Sequence, residues 1–181
     1  MARPKMLILR GNSADAGSYP DEQGKTIAWP IGALHVQAAS AYAQRRGYEA
    51  IVLPVAGQPQ SQHSPQAKAA LKAFLDPKDQ TVTAFYGFSG GGYNLKHILD
   101  YLARKEPQSL RRITLVVVLG APNAQGGKNL YKPSNYSKDA AWDVVYRTNP
   151  KQSQMPEGLP KGTGTHMFGP DVLLAGWPEE N

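Results

Sequence analysis

Residues 81–92 read Thr-Val-Thr-Ala-Phe-Tyr-Gly-Phe-Ser-Gly-Gly-Gly, a β-branched and aromatic run that ends in a serine surrounded by glycines. Such a run predicts a buried strand over 81–86, and the helically spaced apolar residues that follow predict a helix over 90–105. Between them lies the pattern Gly-x-Ser-x-Gly, whose glycines relieve the crowding of a sharp strand-to-helix turn. The pattern predicts that Ser89 is a catalytic nucleophile presented at the end of this strand.

Four other short apolar runs predict strands, and they alternate with segments of helical spacing. The strands are predicted over 6–9, 50–55, 113–119 and 142–148, and the helices over 31–46 and 65–75. The stretch 13–30 is rich in Gly, Ser, Asp and Pro and is predicted to be a loop. Alternating strands and helices are typical of a parallel sheet. The chain is therefore predicted to be one α/β domain over residues 1–181, a three-layer sandwich around a five-stranded, mainly parallel central sheet.

Composition narrows the classes of function. The formal net charge is +6, but the 20 basic residues are scattered, which predicts solubility rather than a nucleic-acid surface. The absence of cysteine excludes disulfides, thiolate catalysis and cysteine-ligated metals. Without a signal-peptide stretch or an apolar run of about 18 residues, we expect a cytoplasmic protein with no transmembrane segment; export by a route that the sequence does not show stays open. The four scattered histidines predict no metal site.

A catalytic serine requires a base, and the four histidines differ in their predicted surroundings. His35 and His97 lie within predicted helices and are expected to be structural or surface residues. His63 follows the second strand, at the same sheet edge as the serine. His166 follows the last strand, and the chain order of nucleophile, acid and histidine is that of α/β hydrolases. This order favours His166 as the general base, with His63 as the alternative.

Three short segments carry a resemblance to a known family. They are Leu-Arg-Gly-Asn at 9–12, Gly-Phe-Ser-Gly-Gly at 87–91 and His-Met-Phe-Gly-Pro-Asp at 166–171. In order and spacing they resemble the Arg-Gly-Ser/Thr end of the first strand, the Gly-Tyr-Ser-Gln-Gly elbow and the His-x-x-Tyr-Gly segment of the cutinase-like serine esterases. The resemblance implies a compact, lidless α/β-hydrolase fold. It also implies that the backbone N–H groups of Asn12 and Gly90 form the oxyanion hole.

The acid of the triad is the point of departure from that family. Its catalytic aspartate follows the fifth strand, whereas residues 146–153 of this chain contain no carboxylate. Asp143 lies at the start of the predicted strand, and a strand of about six residues at about 3.3 Å per residue would hold it roughly 20 Å from the site edge. It is therefore rejected as the acid. Four residues stay open as the group that orients the histidine: Asn149, Asp171, Asp15 and Asp21.

These features predict a serine hydrolase that cleaves carboxylic esters through an acyl-enzyme on Ser89, with His166 as general base and no cofactor. Phe88, Met167 and Phe168 are expected to line the substrate site. The substrate is expected to be a small soluble ester or a lipid or polysaccharide ester. Because the acid is missing, a catalytically weak or inactive hydrolase-fold binding domain is the alternative. A flavodoxin-like protein that binds phosphate or a nucleotide at the glycine-rich turn is the third hypothesis.

Overall fold

The computed structural model of the 181-residue chain describes residues 2–11, 17–20, 26–29, 31–55, 57, 63–121 and 136–146. The elements in chain order are β1 (Lys5–Leu9), β2 (Gly17–Pro20), β3 (Thr26–Trp29), α1 (Ile31–Arg45), β4 (Glu49–Val52), α2 (Pro65–Phe74), β5 (Val82–Phe88), α3 (Gly90–Lys105), a short 3₁₀ helix (Ser109–Arg112), β6 (Leu115–Ala121) and β7 (Ala141–Tyr146). None of the described helices has the length and apolar character that a membrane span requires.

The central sheet has five strands in the order β4-β1-β5-β6-β7, and every neighbouring pair is parallel. β1 and β6 are buried along most of their length, as the continuous apolar runs of their sequences predict. Parallel strands joined through helices place those helices on the faces of the sheet. The prediction of an α/β fold with a five-stranded parallel sheet is therefore confirmed.

Two apolar cores lie on opposite faces of the sheet, between the sheet and the helices that cover each face. On one face, Met6 and Ile8 of β1 belong to a cluster that includes Ala39 and Tyr42 of α1. On the other face, the alternate residues of β1 pack with α2 and α3; this cluster includes Leu7, Leu9, Phe74, Phe85, Leu95, Ile98, Leu99 and Leu102. Because successive side chains of a strand point to opposite faces, a strand buried on both sides contributes to both cores.

A two-stranded antiparallel sheet lies within the segment that the sequence analysis assigned to a loop. Strands β2 and β3 pair from Gly17 with Trp29 to Pro20 with Thr26. The prediction of loop structure throughout 13–30 was therefore wrong. Thr-Ile-Ala-Trp at 26–29 carries β-branched and aromatic residues that favour a strand. The surrounding Gly, Ser, Asp and Pro hid that signal, because such residues are equally common in hairpin turns.

The topology brings the ends of β1 and β5 together at one edge of the sheet. From β1 the chain passes to β4 on one side, and it then returns to β5 on the other side of β1. Open α/β sheets form a crevice where the strand order reverses in this way, beyond the carboxyl ends of the strands. Gly11 follows β1 closely and Ser89 directly follows β5, so both lie at this edge.

Candidate active site

Ser89 occupies the turn between β5 and α3 in a backbone conformation that is unusual for a residue with a side chain. Its φ is 53° and its ψ is −118°, and no other non-glycine residue in the described ranges has a positive φ. Its N–H donates to the carbonyl of Leu119 on β6 at 3.0 Å, and its carbonyl accepts from the N–H of Gly92 at 3.0 Å. The sharp strand-to-helix turn predicted for Ser89 is therefore present.

The glycines around Ser89 allow the backbone of the turn to pack directly against the end of β1 and against the first turn of α3. A Cβ atom on Gly91 would lie 2.3 Å from the carbonyl oxygen of Leu9 and 2.5 Å from that of Arg10. A Cβ atom on Gly87 would lie 2.9 Å from the Cα of Gly92, in the first turn of α3. Any larger residue at either position would push the turn away from β1 or from its own helix.

The end of β1 contacts the turn directly. A Cβ atom on Gly11 would lie 3.5 Å from the Cβ of Ser89 and 3.3 Å from Cδ1 of Phe88. Gly57 closes the same junction: a Cβ there would lie 2.7 Å from the carbonyl oxygen of Arg10 and 2.9 Å from the backbone nitrogen of Gly91. The N–H of Gly57 donates to the carbonyl of Gly11 at 2.8 Å. The glycines of the elbow were predictable from the local motif, whereas Gly57 was not, because it lies 32 residues earlier in the chain than Ser89.

The first residues of α3 supply backbone donors beside Ser89. Gly90 is the first residue of this 16-residue helix. The first N–H groups of a helix have no partner within the helix, and the helix dipole makes this end favourable for negative charge. At the N-terminus of α2, the Ser64 hydroxyl caps the helix by accepting a hydrogen bond from the N–H of Ala67. At the N-terminus of α3, the Ser89 hydroxyl makes no such capping hydrogen bond. The Gly90 N–H therefore lies beside Ser89, and its role in an oxyanion hole stays a prediction.

Phe88 and His35 form a buried layer beneath the turn on the α1 side of the sheet. The rings of His35 and Phe88 are stacked, with centroids 3.7 Å apart and planes 14° apart. The Nε2 atom of His35 lies 2.5 Å from the hydroxyl oxygen of Tyr86, and His35 is 4% exposed. The expectation that His35 is structural agrees with this burial. Phe88 is 6% exposed, so its predicted contact with substrate stays a prediction.

Two further histidines lie in the described ranges. His63 is exposed and immediately precedes Ser64, which caps α2. The Ser64 hydroxyl donates to the side chain of Asn94 in α3 at 3.1 Å, so His63 lies at the same edge as the elbow. His97 lies on α3, and burial holds the pKa of its imidazole below the ordinary value. No cluster of three His, Asp or Glu side chains suited to a metal occurs in the parts of the chain that the structure describes.

Asp143 is occupied by contacts on the α1 side of the sheet. Its carboxylate accepts from the hydroxyl of Tyr42 at 3.2 Å and from the guanidinium of Arg46 at 3.3 Å. It pairs with Val117, two residues before Leu119, so it lies about 7 Å below the level of the elbow along the strand direction. The roughly 20 Å expected from the sequence was too long, because the strand ends at Tyr146 and the elbow lies level with Val145, only two residues beyond Asp143. Its rejection as the acid stays a prediction, which now depends on these contacts with Tyr42 and Arg46 rather than on distance.

Other predicted site residues lie outside the described residues: Asn12, Asp15, Asp21, Asn149, His166, Met167, Phe168 and Asp171. Their roles stay predictions. Comparisons with protein-family models, with curated proteins and with solved structures give no match to this chain.

Proposed function

We propose that the protein is a serine hydrolase of the cutinase-like type, which cleaves carboxylic esters through an acyl-enzyme on Ser89. The Oγ atom of Ser89 attacks the ester carbonyl carbon while His166 accepts its proton. The proton is returned to the leaving alkoxide, and the C–O bond of the ester breaks. Water, activated by the same histidine, then hydrolyses the acyl-serine to a carboxylic acid and restores the serine hydroxyl.

The backbone of Ser89 is the observation that carries this proposal. A non-glycine residue in so sparsely populated a conformation costs about 1–3 kcal/mol and persists only where its surroundings over-determine it. Here φ is 53° and ψ is −118°, and the close backbone packing at Gly87 and Gly91 holds the turn. Glycine would adopt this conformation without a Cβ penalty. A serine at this position is therefore best explained by a use for its hydroxyl.

The surroundings of Ser89 favour chemistry in which negative charge develops. The first N–H of α3 belongs to Gly90, and the end of β1 approaches at Gly11. Two backbone N–H groups would stabilise the oxyanion: that of Gly90 in this first turn, and that of Asn12, which the resemblance supplies. The resemblance of segments 9–12, 87–91 and 166–171 to the cutinase-like esterases points to the same reaction. Ester substrates follow from that resemblance, with a small soluble ester as the simplest class and lipid or polysaccharide esters as the others.

A fluorophosphonate probe tests the proposal directly, because it reacts with a serine only when that serine is activated. We expect an adduct on Ser89, located by mass spectrometry of the purified protein. Ser89→Ala should abolish the adduct, and His166→Ala should slow labelling by about 10²-fold or more, since a general base contributes about that much. His63→Ala is the matched control: it removes another histidine at the same edge and should leave the labelling rate within about twofold.

Two outcomes would contradict the proposal. No labelling under conditions that label a control esterase would show that Ser89 is not activated, and the chain would then be better described as a hydrolase-fold binding domain. Such a result would agree with the absence of a carboxylate in residues 146–153. Labelling that disappears in His63→Ala but survives in His166→Ala would retain a serine hydrolase and assign the base to His63.

A further inference from the structure

We infer that Gln66 and Asn94 are positioning residues for this site, because their buried side-chain amides fix the end of β1 against the nucleophile elbow. The inference rests on the proposed function. Both residues are 0% exposed, and neither belongs to the motifs that predict the site. Gln66 is the second residue of α2, and Asn94 is the fifth residue of α3. Their amides meet between these two helices and the loops that leave β1 and β4.

Gln66 holds two backbone carbonyls from two different segments. Its Nε2 donates to the carbonyl of Arg10 at 3.0 Å and to the carbonyl of Val55 at 3.0 Å. Its Oε1 accepts from Nδ2 of Asn94 at 2.9 Å. Both N–H bonds of this amide are therefore used, and both are directed at backbone just beyond the carboxyl ends of strands β1 and β4.

Asn94 completes the network from α3. Its Nδ2 also donates to the carbonyl of Gly57 at 3.0 Å, and its Oδ1 accepts from the hydroxyl of Ser64 at 3.1 Å. Exchanging the oxygen and nitrogen of this amide would set Oδ1 against two acceptors, the carbonyl of Gly57 and Oε1 of Gln66. The orientation of Asn94 is therefore determined. The donors of the three side chains are all satisfied, which is the condition under which a buried polar network rigidifies its surroundings.

The Arg10 carbonyl is where this network meets the elbow. A Cβ on Gly91 would lie 2.5 Å from the oxygen of that carbonyl, which is the oxygen that the Gln66 amide binds. The Gly57 backbone, bound by Asn94, donates its N–H to the carbonyl of Gly11 at 2.8 Å. Gly11 in turn contacts the elbow, since a Cβ on it would lie 3.5 Å from the Cβ of Ser89. The elbow continues into Gly90, whose N–H is an oxyanion donor of the proposed function.

Gln66 and Asn94 are therefore expected to affect stabilisation of the transition state rather than substrate binding. An oxyanion donor acts on charge that appears only as the carbonyl is attacked, so a displaced donor lowers kcat and leaves KM nearly unchanged. A misplacement of about 1 Å costs about 10²-fold in rate. Apolar side chains in place of the two amides would leave the carbonyls of Arg10, Val55 and Gly57 without these donors, and the end of β1 would be free to shift.

The test compares variants in the full chain, using p-nitrophenyl acetate hydrolysis and the rate of fluorophosphonate labelling of Ser89. Gln66→Met and Asn94→Leu keep the approximate size of each side chain and remove its donors. We expect kcat and the labelling rate to fall about 10- to 100-fold in each variant, with KM within about twofold. The double variant should lose little more than the more impaired single variant, because both amides act on the same junction.

Leu102→Ala is the matched control for lost stability. Leu102 is fully buried on α3, at the end of the helix far from Ser89, and the truncation should lower the unfolding midpoint as much as the amide changes do. Its labelling rate should nevertheless stay within about twofold of the unsubstituted protein. If the apolar variants do not fold, Gln66→Asn replaces them in the test. Its side chain is shorter by one methylene, so its amide no longer reaches the Arg10 carbonyl, and we expect labelling to slow at least fivefold.

The outcomes separate this inference from the proposed function. If Ser89 of the unsubstituted protein is not labelled, the proposed function fails and the inference fails with it. If Ser89 is labelled normally and folded Gln66 and Asn94 variants retain its full rate, only the inference is overturned. The same holds if Leu102→Ala slows labelling as much as they do, because the loss would then follow from stability alone.

Discussion

At the scale of single residues, Ser89 combines the hydroxyl that we propose as the nucleophile with a strained backbone, and the two can be separated by substitution. Ser89→Gly removes the Cβ that makes φ 53° unfavourable. The strain relieved is about 1–3 kcal/mol, and the extra entropy of an unfolded glycine costs about 0.5–1 kcal/mol. We therefore expect Ser89→Gly to raise the free energy of unfolding by about 1 kcal/mol while it abolishes labelling, as measured by urea denaturation.

Ser89→Ala is the control for that measurement, because it removes the hydroxyl and keeps the Cβ. Its stability should lie within about 0.5 kcal/mol of the unsubstituted protein, since most substitutions that leave backbone and packing intact have effects of that size. A Ser89→Gly protein less stable than Ser89→Ala would mean that the turn is not strained. The presence of a serine in this turn would then require no use for its hydroxyl.

At the scale of elements, the sequence predicted the helices and strands that a local apolar pattern defines. It missed the two short strands that are recognisable only by their pairing. Helix α3 has the predicted bounds, and β1 begins one residue before the predicted start. These elements are decided by apolar periodicity, which short windows contain. The hairpin of β2 and β3 was missed because its strands are only four residues long and stand among turn-forming residues. A pair of such strands becomes visible only when the partner is known.

The start of the β1–β5 pair carries an ion pair whose effect on stability should depend on pH. The ammonium of Lys5 lies 2.6 Å from the carboxylate of Asp79, which also accepts from the N–H of Thr81 at 3.0 Å and from its hydroxyl. The hydrogen bond from Lys5, followed by those from Thr81, holds the pKa of Asp79 well below its usual range. The folded state therefore favours the ionised carboxyl, and this contribution is complete above the unfolded pKa of about 3.9.

We expect Asp79→Asn to unfold at a lower urea concentration than the unsubstituted protein at pH 7. The difference should shrink as the pH falls below about 4, because protonation removes the same contribution from the unsubstituted protein. Added salt should reduce the difference at pH 7, since the pair is partly exposed. Lys5→Met is the control, and it should remove only part of the same pH dependence, because the hydrogen bonds from Thr81 remain. A difference that stays constant from pH 7 to pH 2 would contradict this account.

At the scale of the whole molecule, the site is assembled from segments that are distant in sequence, and this sets the limit of prediction. The elbow was predictable because its signal lies within five residues, 87–91. The contacts of Gln66 and Asn94 could not be predicted in this way, because three of their acceptors are backbone carbonyls, which every residue has. Which carbonyls they reach depends on how α2 and α3 pack beside β1. Gly57 was missed for the same reason: its small size matters only where β1 and the elbow converge on it.

The contact between α1 and β7 joins two parts of the chain that are about 100 residues apart, and it too should respond to pH. The Tyr42 hydroxyl donates to Asp143 at 3.2 Å and accepts from Arg46 at 2.6 Å. Burial, and then the charge of Asp143, raises the pKa of Tyr42 to about 12. An unfolded tyrosine has a pKa of about 10. The neutral phenol is therefore favoured in the folded state, and its contribution is complete below pH 10 and is lost as the pH rises towards 12.

We expect Tyr42→Phe to lower the free energy of unfolding at pH 8 by about 1 kcal/mol, the usual net contribution of one hydrogen bond. Between pH 10 and pH 12 the unsubstituted protein should lose stability faster than the variant, so the gap between them should close. Urea unfolding at pH 8, 10 and 11 measures this, and because both proteins contain the same lysines, their difference isolates Tyr42. A gap that stays constant over this range would show that Tyr42 titrates alike in the folded and unfolded chains. The hydroxyl would then contribute to the packing of α1 on β7 without the coupling to Asp143 that its position implies.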